Sequence, residues 1–128
     1  MSTYTALYIP ADIFSEIETV ELEHGLRPIY QKLNISYLEI LPTGNPKIEI
    51  IADEEAALYA EPQINHRATN LCLELFSAAG VNYSVKTLPQ IYGDVLITGG
   101  INEEGVTQSL APETQQKIKA HLQSLTRD

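Results

Sequence analysis

The stretch that decides the fold is "SYLEILPTGNPKIEIIADEE", residues 36–55. Two runs rich in strand-forming residues, 37–41 and 47–52, stand on either side of the segment PTGNP at 42–46. Proline, glycine and asparagine favour tight turns, so this pattern predicts two strands joined by a short loop. An antiparallel hairpin in the middle of the chain argues against a regular alternation of strands and helices.

Further strands are predicted on both sides of this hairpin. Residues 4–9 are mostly strand formers and end at the turn signal Pro10-Ala11-Asp12, after which 16–22 form a second run. We interpret these two runs as another hairpin. A weak strand is predicted at 83–85, and a stronger one at 94–98 is bounded by glycines.

Three helices are predicted from apolar residues spaced by three and four positions. The first lies in "HGLRPIYQKLN" (24–34), the second ends at Gly80, and the third begins near Pro112. Their apolar stripes consist of Leu26, Ile29, Tyr30 and Leu33; of Ala68, Leu71, Cys72, Leu75, Phe76 and Ala79; and of Ile118, Leu122 and Leu125. The fold class expected over 1–128 is a single α+β domain, a mostly antiparallel sheet of hairpins with two to three packed helices.

Size and composition indicate a folded protein held together by one hydrophobic core. The chain has 128 residues, of which 44% are hydrophobic and 20% charged, enough to bury a core without metals or disulfides. The lone Cys72 falls within the apolar stripe of the second helix, so we expect it to be a small buried side chain.

Charge and hydropathy restrict the partners. A net charge of -9 repels phosphate backbones, which argues against nucleic-acid binding by direct phosphate contact. The N-terminus lacks the basic and apolar segments of a secretion signal, and no stretch approaches the about twenty apolar residues needed to cross a bilayer. We therefore expect no membrane partner and a location in the cytoplasm.

The clearest candidate site is at the start of the second helix, in "QINHRATNLC" (63–72). Asn65 is suited to cap the helix, which places His66 and Arg67 in its first turn. Cations are unfavourable there by about 0.3 to 1 kcal/mol unless something negative faces them. Either Arg67 pairs with an internal carboxylate or it helps to bind an anion from outside. The internal candidates are Asp53, Glu54, Glu55 and Glu61.

The functional interpretation is an anion site, because a helix start offers free N–H groups and arginine grips phosphate or carboxylate with two hydrogen bonds. The predicted ligand-binding residues are Asn65, His66, Arg67, Thr69 and Asp94.

Other chemistry lacks a supporting pattern. The stretch from Gly93 to Gly100 has neither a Walker motif nor a GxGxxG order before a helix, which favours turn glycines over a phosphate loop. His24, His66 and His121 are far apart in sequence, and no serine lies in a G-x-S-x-G motif. We predict no catalytic residue, no metal and no cofactor, and hence a protein that is not an enzyme.

The chain also resembles a known family. The segments "DEEAALYAEPQINHRATNLC" (53–72) and "IYGDVLITGG" (91–100), and the opening "YTALYIPAD" (4–12), are similar to domain of unknown function 3846, an uncharacterised family of small proteins carried by phages and plasmids. The resemblance implies a compact accessory protein of a mobile element and supplies no catalytic residue.

Two functions follow as hypotheses. The first is a non-catalytic protein that binds or sequesters a small anionic, nucleotide-like ligand, such as a host immune signalling molecule. The second is an interaction protein that inhibits a host protein through its acidic face, with weak DNA mimicry, because five acids crowd the first quarter: Asp12, Glu16, Glu18, Glu21 and Glu23. A charged, solvated strand edge explains the same acids without a partner. Exposed strand edges also suggest a homo-oligomer.

Overall fold

A computed structural model describes residues 2–80 and 90–124. Its strands and helices follow one another in the order β1, β2, α1, β3, β4, α2, β5, α3, with a short 3-10 turn before α2. The strands are β1 (Thr3–Ile9), β2 (Glu18–Glu23), β3 (Leu38–Leu41), β4 (Glu49–Asp53) and β5 (Val95–Thr98); the helices are α1 (Leu26–Leu33), α2 (His66–Ala78) and α3 (Pro112–Ser124), and the 3-10 turn is Ala56–Leu58.

The strands form one antiparallel sheet in the order β2-β1-β5-β4-β3. Each predicted hairpin is present, β1 with β2 and β3 with β4, and β5 lies between the two hairpins. In this register Val95 is opposite Ile9, whereas Thr98 is opposite Glu49. The predicted α+β fold with a mostly antiparallel sheet is therefore confirmed.

Helices cover both faces of the sheet because its central strands are apolar on both sides. On one face, α2 and α3 pack against alternate residues of the central strands, and the largest fully buried side chains there include Leu7, Ile50, Ile97 and Leu122. On the other face, α1 packs Ile29 and Leu33 against Tyr4, Ala6 and Leu96. Burial on both sides explains why all four residues of β5 are buried.

Helix α2 agrees closely with its periodicity. Leu71 and Cys72 are buried in the core, Leu75 is only partly buried against it, and Glu74, which is not part of the predicted stripe, is exposed. Asn70 also lies outside the stripe, yet it is partly buried, and its amide oxygen lies 2.8 Å from the imidazole Nε2 of His121 in α3. The polar side of α2 therefore contributes to helix packing as well as its apolar stripe.

The second strand is displaced from its predicted position. It begins at Glu18 instead of residue 16, because residues 10–17 form a loop with its own turn. The strand predicted at 83–85 and the last apolar position of α3, Leu125, lie outside the described residues.

The glycine pair after β5 allows two close backbone approaches. A Cβ atom on Gly99 would lie 2.1 Å from the carbonyl oxygen of Ser109, and one on Gly100 would lie 2.1 Å from that of Pro46. Gly100 also has a φ of +84°, which favours glycine. Close contact with neighbouring backbone therefore accounts for both glycines.

Candidate functional site

Three of the five residues predicted to bind a ligand, Asn65, Arg67 and Asp94, meet at one end of the sheet, around the loop of residues 10–17 between β1 and β2. Asn65 and Arg67 reach this region from the start of α2, and Asp94 reaches it from just before β5. Thr69 lies one turn further along α2, where its hydroxyl accepts a hydrogen bond from the N–H of Ile91 at 2.9 Å. His66 is exposed.

Asn65 connects three elements. It is the N-cap of α2, as predicted, and its side-chain oxygen accepts a hydrogen bond from the N–H of Ala68 at 2.9 Å. Its amide nitrogen donates to the carbonyl oxygens of Ile9, at 3.0 Å, and Gly93, at 2.9 Å. Both amide hydrogens are used within the protein, and the side chain is fully buried.

Arg67 is buried and grips the loop through backbone oxygens. Its Nη2 donates to the carbonyls of Pro10, at 2.8 Å, and Asp12, at 2.9 Å, while Nη1 donates to that of Ser15 at 2.9 Å. Burial lowers the pKa of the guanidinium, and the negative charge of Asp12 opposes this effect. Only 6% of Arg67 is exposed.

This arrangement argues against the internal ion pair, one of the two alternatives that the sequence left open for Arg67. Within the described part of the chain the ion pair found joins Lys32 to Glu18, and Arg67 pairs with none of the four acids proposed from the sequence. The physical reason is that three converging carbonyl oxygens supply the negative potential that a buried guanidinium requires. Such oxygens carry no sequence signal.

Asp94 fixes the same loop from the side of β5. One carboxylate oxygen accepts a hydrogen bond from the N–H of Ala11 at 2.8 Å, and the other accepts from the hydroxyl of Tyr8 at 2.7 Å. Burial, and after it the hydrogen bond to Asp94, raises the pKa of the Tyr8 hydroxyl. The ammonium group of Lys32 lies 4.4 Å from the centre of the Tyr8 ring.

The loop also has an internal turn that presents two apolar side chains. The Asp12 carboxylate accepts hydrogen bonds from the N–H of Phe14, at 2.9 Å, and the hydroxyl of Ser15, at 3.2 Å. The N–H of Ser15 donates to the Asp12 carbonyl at 3.1 Å. At the tip of this turn Phe14 is 90% exposed and Ile13 is 39% exposed.

Phe14 was missed by the sequence reasoning, which treated the segment after Pro10 only as a turn. A signal was present, because two large apolar residues, Ile13 and Phe14, stand between the turn formers and the acidic strand. Whether these two side chains are exposed depends on how the loop is held, which the local sequence does not show.

An acidic groove runs beside the loop. A cavity of about 450 Å³ is lined by Asp12, Glu16, Glu18 and Asp94, together with Tyr8 and Gln63. A second cavity of about 230 Å³ shares Gln63 and Asp94 with it and extends the groove to Asp53 and Glu61. Carboxylates on these walls favour cationic groups and repel anions.

Two further findings concern metals and membranes. Among residues 2–80 and 90–124, no three histidine, cysteine, aspartate or glutamate side chains are grouped so that they could hold a metal ion. In the same residues, no helix has the length and apolar character required to span a bilayer.

The fold and the site define a class of small α+β proteins: a five-stranded antiparallel sheet with helices on both faces and a loop pinned at one end. This chain belongs to the family described as Domain of unknown function (DUF3846), whose model matches residues 4–123. No curated protein and no solved structure matches the chain. The phage and plasmid association stays a prediction.

Proposed function

We propose that this protein is a non-catalytic binding module that docks onto a positively charged protein through the loop of residues 10–17. The observation that carries the proposal is Phe14, a large apolar side chain left 90% exposed at the tip of a loop pinned by buried hydrogen bonds. This is the second of the two hypotheses drawn from the sequence, now attached to a particular surface.

Pinning the loop favours binding. Exposed aromatic side chains bury a large apolar area when they enter a pocket on a partner, and aromatic residues are enriched in interfaces. A loop already fixed by Arg67, Asp94 and Asp12 has little conformational freedom left to lose on association. Phe14 therefore has the properties of an interface anchor.

The charge around the loop specifies the partner. Asp12, Glu16 and Glu18 lie beside Phe14 in sequence and line the adjoining groove. A partner that carries lysine or arginine around an apolar pocket matches this pattern, and the opposite charges would accelerate encounter at low salt.

The hypothesis of a small anionic ligand has weaker support. The groove beside the start of α2 is lined by carboxylates, and the guanidinium of Arg67 already donates to three backbone oxygens. Of the predicted ligand-binding cations, His66 is the exposed one, and a single exposed histidine at a helix start is a poor anion site. Ligand binding at Asn65, His66, Arg67, Thr69 and Asp94 stays a prediction.

We expect Phe14→Ala to weaken binding to the partner by about 10- to 100-fold, because the side chain loses the apolar burial that anchors the interface. The partner is first captured on the immobilised protein at low salt, and the purified pair is then measured by calorimetry. Leu58→Ala is the matched control, since Leu58 is 81% exposed and belongs to the 3-10 turn Ala56–Leu58, outside the loop of residues 10–17.

If Phe14→Ala and Leu58→Ala bind the partner with equal affinity, any loss of affinity does not depend on the loop, and the proposal is contradicted. A captured partner whose affinity does not fall as salt is raised would contradict the role of the acidic groove.

A further inference from the structure

The face of the sheet that carries α1 is only partly covered. Helix α1 contacts β2 and packs in one cluster with Ile51 of β4, but beside its N-terminal end the face over β3 and β4 is open. A groove of about 470 Å³ occupies this area. Its walls include Leu26, Ile40, Ile101 and Val106, all of which are more than two-fifths exposed.

This groove lies at the opposite end of the sheet from the loop of residues 10–17. Val95 at the start of β5 is paired with Ile9, next to the loop, whereas Thr98 at its other end is paired with Glu49, which lines the groove. The two surfaces can therefore be tested separately.

Glu49 is the unusual member of the groove. It lies two residues before Ile51 on β4, so both side chains face the same side of the sheet, and both line the groove. Glu49 is half-buried in a lining that is mostly apolar but also includes His24, which forms no ion pair with it, and burial raises the pKa of the Glu49 carboxyl. It takes no part in the ion pair found within the described residues, which joins Lys32 to Glu18.

A carboxylate partly removed from water and left without a cation is unfavourable unless a binding partner provides one. The apolar walls around it gain by covering their exposed area. A ligand that satisfies both requirements carries one positive charge between apolar groups.

We propose that this groove binds a segment of another protein in which a lysine or arginine is flanked by apolar side chains. The cation meets the Glu49 carboxylate, and the apolar neighbours contact Ile40, Ile101 and Val106. A second copy of this chain is a poorer occupant, because each copy carries a net charge of -9 and copies repel one another.

The probe is the capped synthetic peptide Val-Lys-Val-Lys-Val, titrated into isotopically labelled protein and followed by NMR. We expect shift changes at Ile40, Glu49, Ile51 and Val106, and about tenfold weaker binding of the peptide in which glutamine replaces both lysines. No binding at millimolar peptide, or equal binding of both peptides, would overturn the proposal.

Glu49→Gln separates a binding role from a structural one. We expect about tenfold weaker binding of the lysine peptide, with a melting temperature that is unchanged or higher at neutral pH, because the variant removes a partly buried charge. The matched control is Glu39→Gln on the neighbouring strand, whose side chain does not line this groove. An equal loss of binding in both variants would reduce the effect to net charge and overturn the assignment.

Two further measurements complete the test. In the same titration, shift changes at Phe14 are read separately from those at Ile40, Glu49 and Val106, so that failure of one surface is not mistaken for failure of the other. Sedimentation experiments test whether the free protein self-associates. If it does, and Ile40→Glu abolishes the self-association, a second copy occupies the groove and the proposal is overturned.

Discussion

Replacement of Arg67 by glutamine is expected to lower the free energy of unfolding by about 2 to 4 kcal/mol, because the guanidinium satisfies three backbone carbonyls around a buried site and glutamine cannot reach all three. Chemical denaturation measures the change. Arg27→Gln is the matched control, since Arg27 is exposed and its loss should cost less than about 0.5 kcal/mol.

A local measurement should accompany the global one. Chymotrypsin cleaves after phenylalanine, and a pinned loop resists entry into a protease active site. Arg67→Gln should therefore speed cleavage after Phe14 under native conditions, whereas Arg27→Gln should not. If the role of Arg67 were instead to bind an external anion, its replacement would leave the unliganded protein equally stable or slightly more stable. Equal stability and equal cleavage of the two variants would contradict the loop-holding role.

Leu71→Ala is expected to destabilise the protein by about 2 to 5 kcal/mol, because it removes a side chain from the core between α2 and the sheet and leaves a cavity. Leu75→Ala should cost less, since Leu75 is only partly buried against that core. The exposed Leu58 gives the matched control, and Leu58→Ala should change stability by less than about 0.5 kcal/mol. Chemical denaturation ranks the three variants. If Leu58→Ala and Leu71→Ala destabilise the protein equally, the side of α2 that faces the sheet has been assigned wrongly.

Local patterns predicted much of this fold. Turn formers at 42–46 and apolar spacing in α2 act over a few residues, and both gave elements close to those observed. The order of the strands within the sheet could not be predicted from such local patterns. Pairing of β5 with both β1 and β4 depends on which apolar surfaces fit together across most of the chain. The placement of α1 on the face opposite α2 and α3 depends on the same fit.

The sequence singled out Arg67, but it did not predict the contacts of that side chain. A cation is unfavourable at a helix start, which indicated an unusual environment for Arg67, and the side chain is indeed buried. Its partners are backbone oxygens, one of them 52 residues away, and backbone oxygens are identical at every position of a sequence. The capping role of Asn65 was predictable because its partner lies three residues along the same helix.

The central position of β5 also constrains the order in which the chain can fold. Each hairpin joins neighbouring segments, so β1 with β2 and β3 with β4 can form soon after those residues are available. Until β5 arrives, β1 and β4 each keep an unpaired, apolar edge. During synthesis the sheet cannot close before residues 95–98 have left the ribosome, so the two hairpins must remain soluble through the production of α2 and the residues that follow it.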